Sequence, residues 1–155
     1  MFAGCAGAPR VVSYFVEKGV MQYYLMPVGF GGGKADVNVD FTVRVQKGVK
    51  NPVICNFTVK TRTDPPKSVE RAEFLLIDAE KTLALRDIEV LFIERAAREI
   101  RLTSIMDRED FDALLSSKIV LFDVFCDTGE YSFTPTGDFY RALEQARIEI
   151  IDVAP

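Results

Sequence analysis

The chain has 155 residues, 48% of them hydrophobic, a length that suits one domain and a composition that argues against disorder. Its 19 basic and 23 acidic side chains leave a net charge of −4, so it lacks the basic balance with which a protein displaces counterions from nucleic-acid phosphates. It has no histidine, which excludes imidazole zinc sites, Ser-His-Asp and Cys-His nucleophiles, an axial histidine to haem and a histidine pH switch.

The first residues are Met1-Phe2-Ala3-Gly4-Cys5-Ala6-Gly7-Ala8-Pro9. The tetrapeptide Phe2-Ala3-Gly4-Cys5 resembles the lipobox that ends a bacterial lipoprotein signal peptide. In that family small residues let the peptidase approach the backbone, and the cysteine thiol carries the diacylglycerol. The resemblance spans four residues. Phe2 stands where Leu is usual, and only Met1 precedes it where a signal needs a basic segment and about 7–15 apolar residues. The resemblance implies lipid attachment at Cys5, with Met1 replacing an upstream signal, and a place at the periplasmic face of a bacterial membrane. The alternative is a small-residue tail on a cytoplasmic protein. No run of 18 apolar residues occurs, so a membrane is expected to be reached only through a lipid. With Cys5 acylated, Cys55 and Cys126 could form one disulfide; in a cytoplasmic protein both would be buried free thiols.

Val11–Val16 reads as a short strand, interrupted at Glu17-Lys18-Gly19, and Val20–Val28 as a second, with Pro27 demoting its end to an edge or a bulge. Gly29–Lys34 reads as a flexible connection. From Asp36 to Val45, Val37, Val39, Phe41, Val43 and Val45 alternate without a miss with polar residues, the mark of a strand with one buried face. Val53–Thr61 resumes the alternation after a Gly48 and Asn51-Pro52 turn signal, so the two runs are expected to pair as an antiparallel hairpin. Asp64-Pro65-Pro66 stops the second strand. Glu73–Asp78, Thr82–Glu94 and Glu99–Met106 hold apolar runs rich in good helix formers; within them Ile88–Ile93 and Ile100–Ile105 lean toward strand through β-branching, with helix as the alternative for Glu94–Arg101. Asp107–Leu115 predicts a short helix with Asp107 as N-cap and Phe111, Leu114 and Leu115 on one face. Lys118–Phe125 predicts a central strand, Tyr131–Phe133 a strand pairing back, and Phe139, Ala142, Leu143 and Ala146 the stripe of a second helix. Ile148–Val153 either extends that helix or closes the sheet.

Five features invite chemistry or contact. Gly31-Gly32-Gly33-Lys34 lacks the first glycine and the hydroxyl of a phosphate loop and leads into a strand, so it reads as a connector. Asp107, Glu109, Asp110 and Asp112 fail the EF-hand pattern and are where a helix dipole favours acids. Asp123 inside an apolar run needs a partner if buried. Asn56-Phe57-Thr58 matches a glycosylation acceptor in mid-strand. Tyr14, Phe15, Tyr23, Tyr24 and Phe30 read as core first and as a contact surface second. No catalytic residue, metal ligand or cofactor site is assigned.

The expectation is a mainly β protein: residues 1–10 as a flexible tail or anchor segment, and 11–155 as a single β-rich domain. It is expected to be an antiparallel β-sandwich with one or two short helices, with α+β as the alternative. The functional expectation is a non-enzymatic interaction or binding module with a protein partner at the envelope and no nucleic acid. The rival is a β protein binding a small molecule or lipid in an apolar cavity.

Overall fold

In the computed structural model, which describes residues 10–151, the mainly β expectation holds: ten antiparallel strands and two short helices follow one another. β1 (Val11–Glu17), β2 (Val20–Gly31), β3 (Ala35–Gln46) and β4 (Val53–Thr61) come first. The expected hairpin is β3 with β4, paired from Ala35 opposite Thr61 to Thr42 opposite Ile54. Its odd-numbered residues Val37, Val39, Phe41, Cys55, Phe57 and Val59 all face inward and are buried. β5 (Val69–Leu76), β6 (Lys81–Ala84), β7 (Arg86–Glu94) and β8 (Glu99–Met106) follow, then α1 (Arg108–Ser116), β9 (Val120–Cys126), β10 (Gly129–Pro135), α2 (Gly137–Ala146) and a π-helical turn, Arg147–Ile151.

The strands form one path, β6-β5-β9-β10-β2-β3-β4-β8-β7, with β1 added on β2. The two ends of this path are covalent neighbours. Only Leu85 separates β6 from β7, and its N–H donates to the Ala72 carbonyl at 3.0 Å. The run from Lys81 to Glu94 thus begins beside β5 and ends beside β8, and Asp87 adopts a left-handed φ of 51° just after it changes partner. The sheet is therefore nearly closed and barrel-like. The sandwich expectation reaches only as far as the antiparallel β architecture, because two layers cannot be separated where β6–β7 and the β10–β2 pairing carry the sheet around.

One edge of β2 belongs to β3 along its whole length; the other is shared by β1, over Val20–Leu25, and β10, over Phe30 and Gly31. Pro27 sits in the register irregularity between Leu25 and Val28, where its missing N–H costs no ladder bond. Gly29–Gly31 are strand, not the connection the glycines suggest. α2 packs where β1 and β10 part: Phe139 meets Phe30 at a tilt with ring centroids 4.6 Å apart, and Gln145 accepts the Arg10 N–H at 3.2 Å. The chain after α2 extends the helix as the π-helical turn, burying Ile150. At Glu94–Arg101 the helical alternative gives way to a turn over 95–98, with Arg98 at φ 58° and its N–H on the Arg95 carbonyl.

Eight phenylalanines fill the interior: Phe30, Phe41, Phe57, Phe74, Phe122 and Phe133 from strands, Phe111 from α1 and Phe139 from α2. Phe122 lies at their centre, 4.5 Å from Phe74 and 5.4 Å edge-on to Phe57. Burying one such ring contributes about 1.5–3 kcal/mol. Pro65 and Pro66 are buried as well.

Candidate interaction surface

Most residues with apparent chemical potential are occupied by the fold. The four acids at α1 each hold a cation: Asp107 takes Arg86, Glu109 takes Lys50 at 2.5 Å, Asp110 takes Lys81 at 2.7 Å and Asp112 takes Arg108 at 2.9 Å. The Asp107 side chain thus serves an ion pair and makes no cap bond to the helix. The hydrogen bond from Lys50 holds Glu109 below the ordinary carboxylate range. Asp123 is buried and accepts the Ser132 hydroxyl from the neighbouring strand at 2.5 Å.

The outer face of β3, β4 and β8 carries a polar clamp. Asp40 is buried; its Oδ2 accepts from Arg101 Nη2 at 2.9 Å and its Oδ1 from Asn56 Nδ2 at 3.0 Å. Arg101 Nη1 also donates to Thr58 Oγ1 at 2.9 Å. Burial first, and then the Asp40 charge, raise the nearby Tyr24 hydroxyl. Asn56, the glycosylation candidate, is therefore spent within this clamp. With both carboxylate oxygens of Asp40 satisfied, the group ties three strands together.

Of the glycine loop, Gly32 alone is tightly held: a Cβ there would meet the Ala35 carbonyl oxygen at 2.8 Å and the Phe133 ring at 3.0 Å. The loop's tight turn lets β10 reach β2. Cys5 lies outside the described residues. Cys55 and Cys126 are free thiols; burial pushes the Cys55 thiol well up, and Cys126 Sγ donates to the Gly129 carbonyl at 3.1 Å. The early aromatics divide, with Phe30 in the core, Tyr23 packed against it, and Tyr14 and Phe15 at the surface.

What stays unused is β7. It ends the strand path, paired on one side only, with β8. Past Leu85 the chain has left β5, so the outer edge of β7 from Ile88 onward carries no strand among the described residues. Val90, Leu91, Phe92 and Ile93 are 43, 53, 45 and 40% exposed. Val90 and Ile93 lie opposite the core residues Leu102 and Ile100, whereas Phe92 lies opposite the outward Arg101. Apolar groups therefore stand on both faces of one open edge. Beside its end lies a cleft of about 510 Å³ lined by Asp64, Pro65, Lys67, Ile93 and Arg95. The apolar run was visible in the sequence, but nothing local marks it as an edge.

A second surface lies at the far end of the β1–β2 hairpin, where Phe15 is 72% exposed. Next to it a cleft of about 750 Å³ has Met21, Tyr23, Val45 and Val49 among its walls, with Lys47 and Lys50 beside them. No known protein family, curated protein or solved structure matches the chain.

Proposed function

We infer that the protein is a non-enzymatic interaction module, held by lipid on Cys5 at the periplasmic face of a bacterial membrane, that takes a polypeptide partner along β7. The observation that supports the interaction is the open edge with four consecutive large apolar side chains. An edge strand presents a row of unpaired N–H and C=O groups that an incoming strand satisfies, while alternate side chains supply selectivity. The anchor rests on the lipobox-like Phe2-Ala3-Gly4-Cys5.

A photo-crosslinking amino acid at Leu91, introduced into the protein in its own cells, tests the interaction. Adducts to a polypeptide at Leu91, absent when the crosslinker stands at the exposed Glu130, are expected; no adduct at either position overturns it. Intact mass of the product of the full reading frame tests the anchor. Cleavage before Cys5 with added acyl chains, in the membrane fraction, is expected. An unmodified chain in the soluble fraction removes the anchor and leaves the edge reading standing.

The second reading, a binder of a small molecule or lipid, is favoured by one feature. The cleft beside Met21 and Val49 joins an apolar wall to Lys47, with Lys50 already held by Glu109, a combination suited to an anionic amphiphile. It lies outside the barrel, whose interior the phenylalanines occupy.

A further inference from the structure

We propose that the end of the molecule formed by the β1–β2 and β3–β4 turns docks on an anionic lipid surface. Phe15 and Val49 enter that surface, and Lys18, Lys47 and Lys50 meet its headgroups. This goes beyond the β7 reading and does not depend on lipid at Cys5.

The sheet overruns its own core here. Val11, Leu25 and Phe41 lie opposite one another in β1, β2 and β3 and are all buried. Side chains two residues along a strand share a face, so Phe15, Met21 and Val45, also opposite one another, continue that inner face toward the turns. Past Val43 the face runs out of core, and Phe15 is 72% exposed. Tyr14 and Val16 on either side of it are half exposed. Val20 pairs with Gln46, and Gln46 bridges to Val49. The two turns therefore stand side by side, and the exposed Val49 joins the apolar group at their end. Exposed apolar groups gathered at one place mark a surface that meets a protein or a membrane.

Charge selects between the two. Residues 17–20 and 46–52 hold Lys18, Lys47 and Lys50 against one acid, Glu17, in a chain whose net charge is −4. Lys18 and Lys47 make no ion pair among the described residues. Lys50 bonds Glu109, but both side chains are 74% exposed, where an ion pair is worth little and exchanges readily for a headgroup. Lysine is depleted in protein–protein interfaces. At a bilayer, by contrast, its stem lies along apolar surface while its ammonium stays at the headgroup level. An apolar tip ringed by lysines thus fits an anionic membrane, and the negative charge elsewhere turns the rest of the molecule away from it.

Co-sedimentation with vesicles tests this, using the full chain with Cys5→Ser so that no acyl group contributes. The chain is expected to bind vesicles of phosphatidylcholine and phosphatidylglycerol in equal parts, and to bind phosphatidylcholine alone far more weakly. At low salt Lys47→Ala is expected to weaken binding about fivefold and Phe15→Ser by about tenfold or more. Phe92→Ser, at the exposed edge of β7, is expected to leave it unchanged. A second readout needs no weakened variant. The chain has no tryptophan, so Phe15→Trp supplies a single emission, expected to shift to the blue on the mixed vesicles, whereas that of Phe92→Trp stays in place. No binding to the mixed vesicles, equal binding to both compositions, or binding that Phe15→Ser leaves intact overturns the proposal. A Phe15→Trp shift with dispersed oleate but none with vesicles overturns the lipid surface and supports the cleft reading instead.

Discussion

Gly32 and Gly33 look alike in the sequence, yet they face different constraints. A Cβ on Gly32 would press into backbone at 2.8 Å, whereas Gly33 has open space. Overpacking of this kind costs about 1–3 kcal/mol, so Gly32→Ala is expected to lower the unfolding free energy measured in urea by that amount while Gly33→Ala leaves it nearly unchanged. Asp40→Ala leaves Arg101 without its carboxylate and Asn56 without an acceptor. Breaking a buried pair costs about 3–5 kcal/mol; since Arg101 is 25% exposed, the lower end is expected in chemical denaturation. Asp78 accepts bonds from the Ser117 hydroxyl and the Lys118 and Ile119 N–H groups, which hold its carboxyl down to about 2. A depressed carboxylate stabilises the fold fully above its unfolded pKa, near 3.9, and loses that contribution as pH falls toward its folded value. The urea midpoint should therefore fall between pH 4 and 2, and Asp78→Asn should flatten that part of the profile.

At the scale of elements, β6 and β7 show how one run serves two neighbours. Lys81–Ala84 pairs with β5, Arg86 meets β8 at Ile105, and the chain bends at Asp87 before the pairing with β8 resumes at Glu89. The bend closes the sheet and frees the outer edge of β7. Because Leu91 is 53% exposed, Leu91→Lys in the isolated chain is expected to change its own unfolding free energy by less than about 0.5 kcal/mol, as surface substitutions do. A larger loss would mean that Leu91 packs within its own chain. The helices behave differently. Phe111 and Phe139 each reach the aromatic core, at 5.3 Å from Phe41 and 4.6 Å from Phe30, so α1 and α2 are held by packing on the sheet more than by helix propensity.

For the molecule as a whole, the phenylalanine cluster couples both arcs of the sheet. Phe122 on β9 touches rings from β2, β4, β5 and β10. Phe122→Ala is expected to destabilise by about 3–5 kcal/mol, read as a lowered denaturation midpoint with an unchanged m-value if the chain unfolds as one unit.

Local periodicity determined much of the fold. The alternation of Val37–Val45 and Val53–Val59 fixes which face is buried, because side chains in a strand change face at every residue. The stripes Phe111, Leu114, Leu115 and Phe139, Ala142, Leu143, Ala146 likewise fix the buried sides of the two helices. Acids in the first turn of α1 announced that helix, and their cationic partners came from distant segments: Lys50 from the β3–β4 turn and Lys81 from β6. Tertiary structure alone decided that the sheet curls to near closure, that Gly32 is hemmed in while Gly33 is free, and that Tyr14 and Phe15 lie outside while Phe30 lies inside. It also decided that Ile88–Ile93, as apolar as any core strand in the chain, stands on an open edge. A residue pattern records what each side chain prefers to face. Whether a strand has one neighbour or two depends on where chain segments far apart in sequence come to rest.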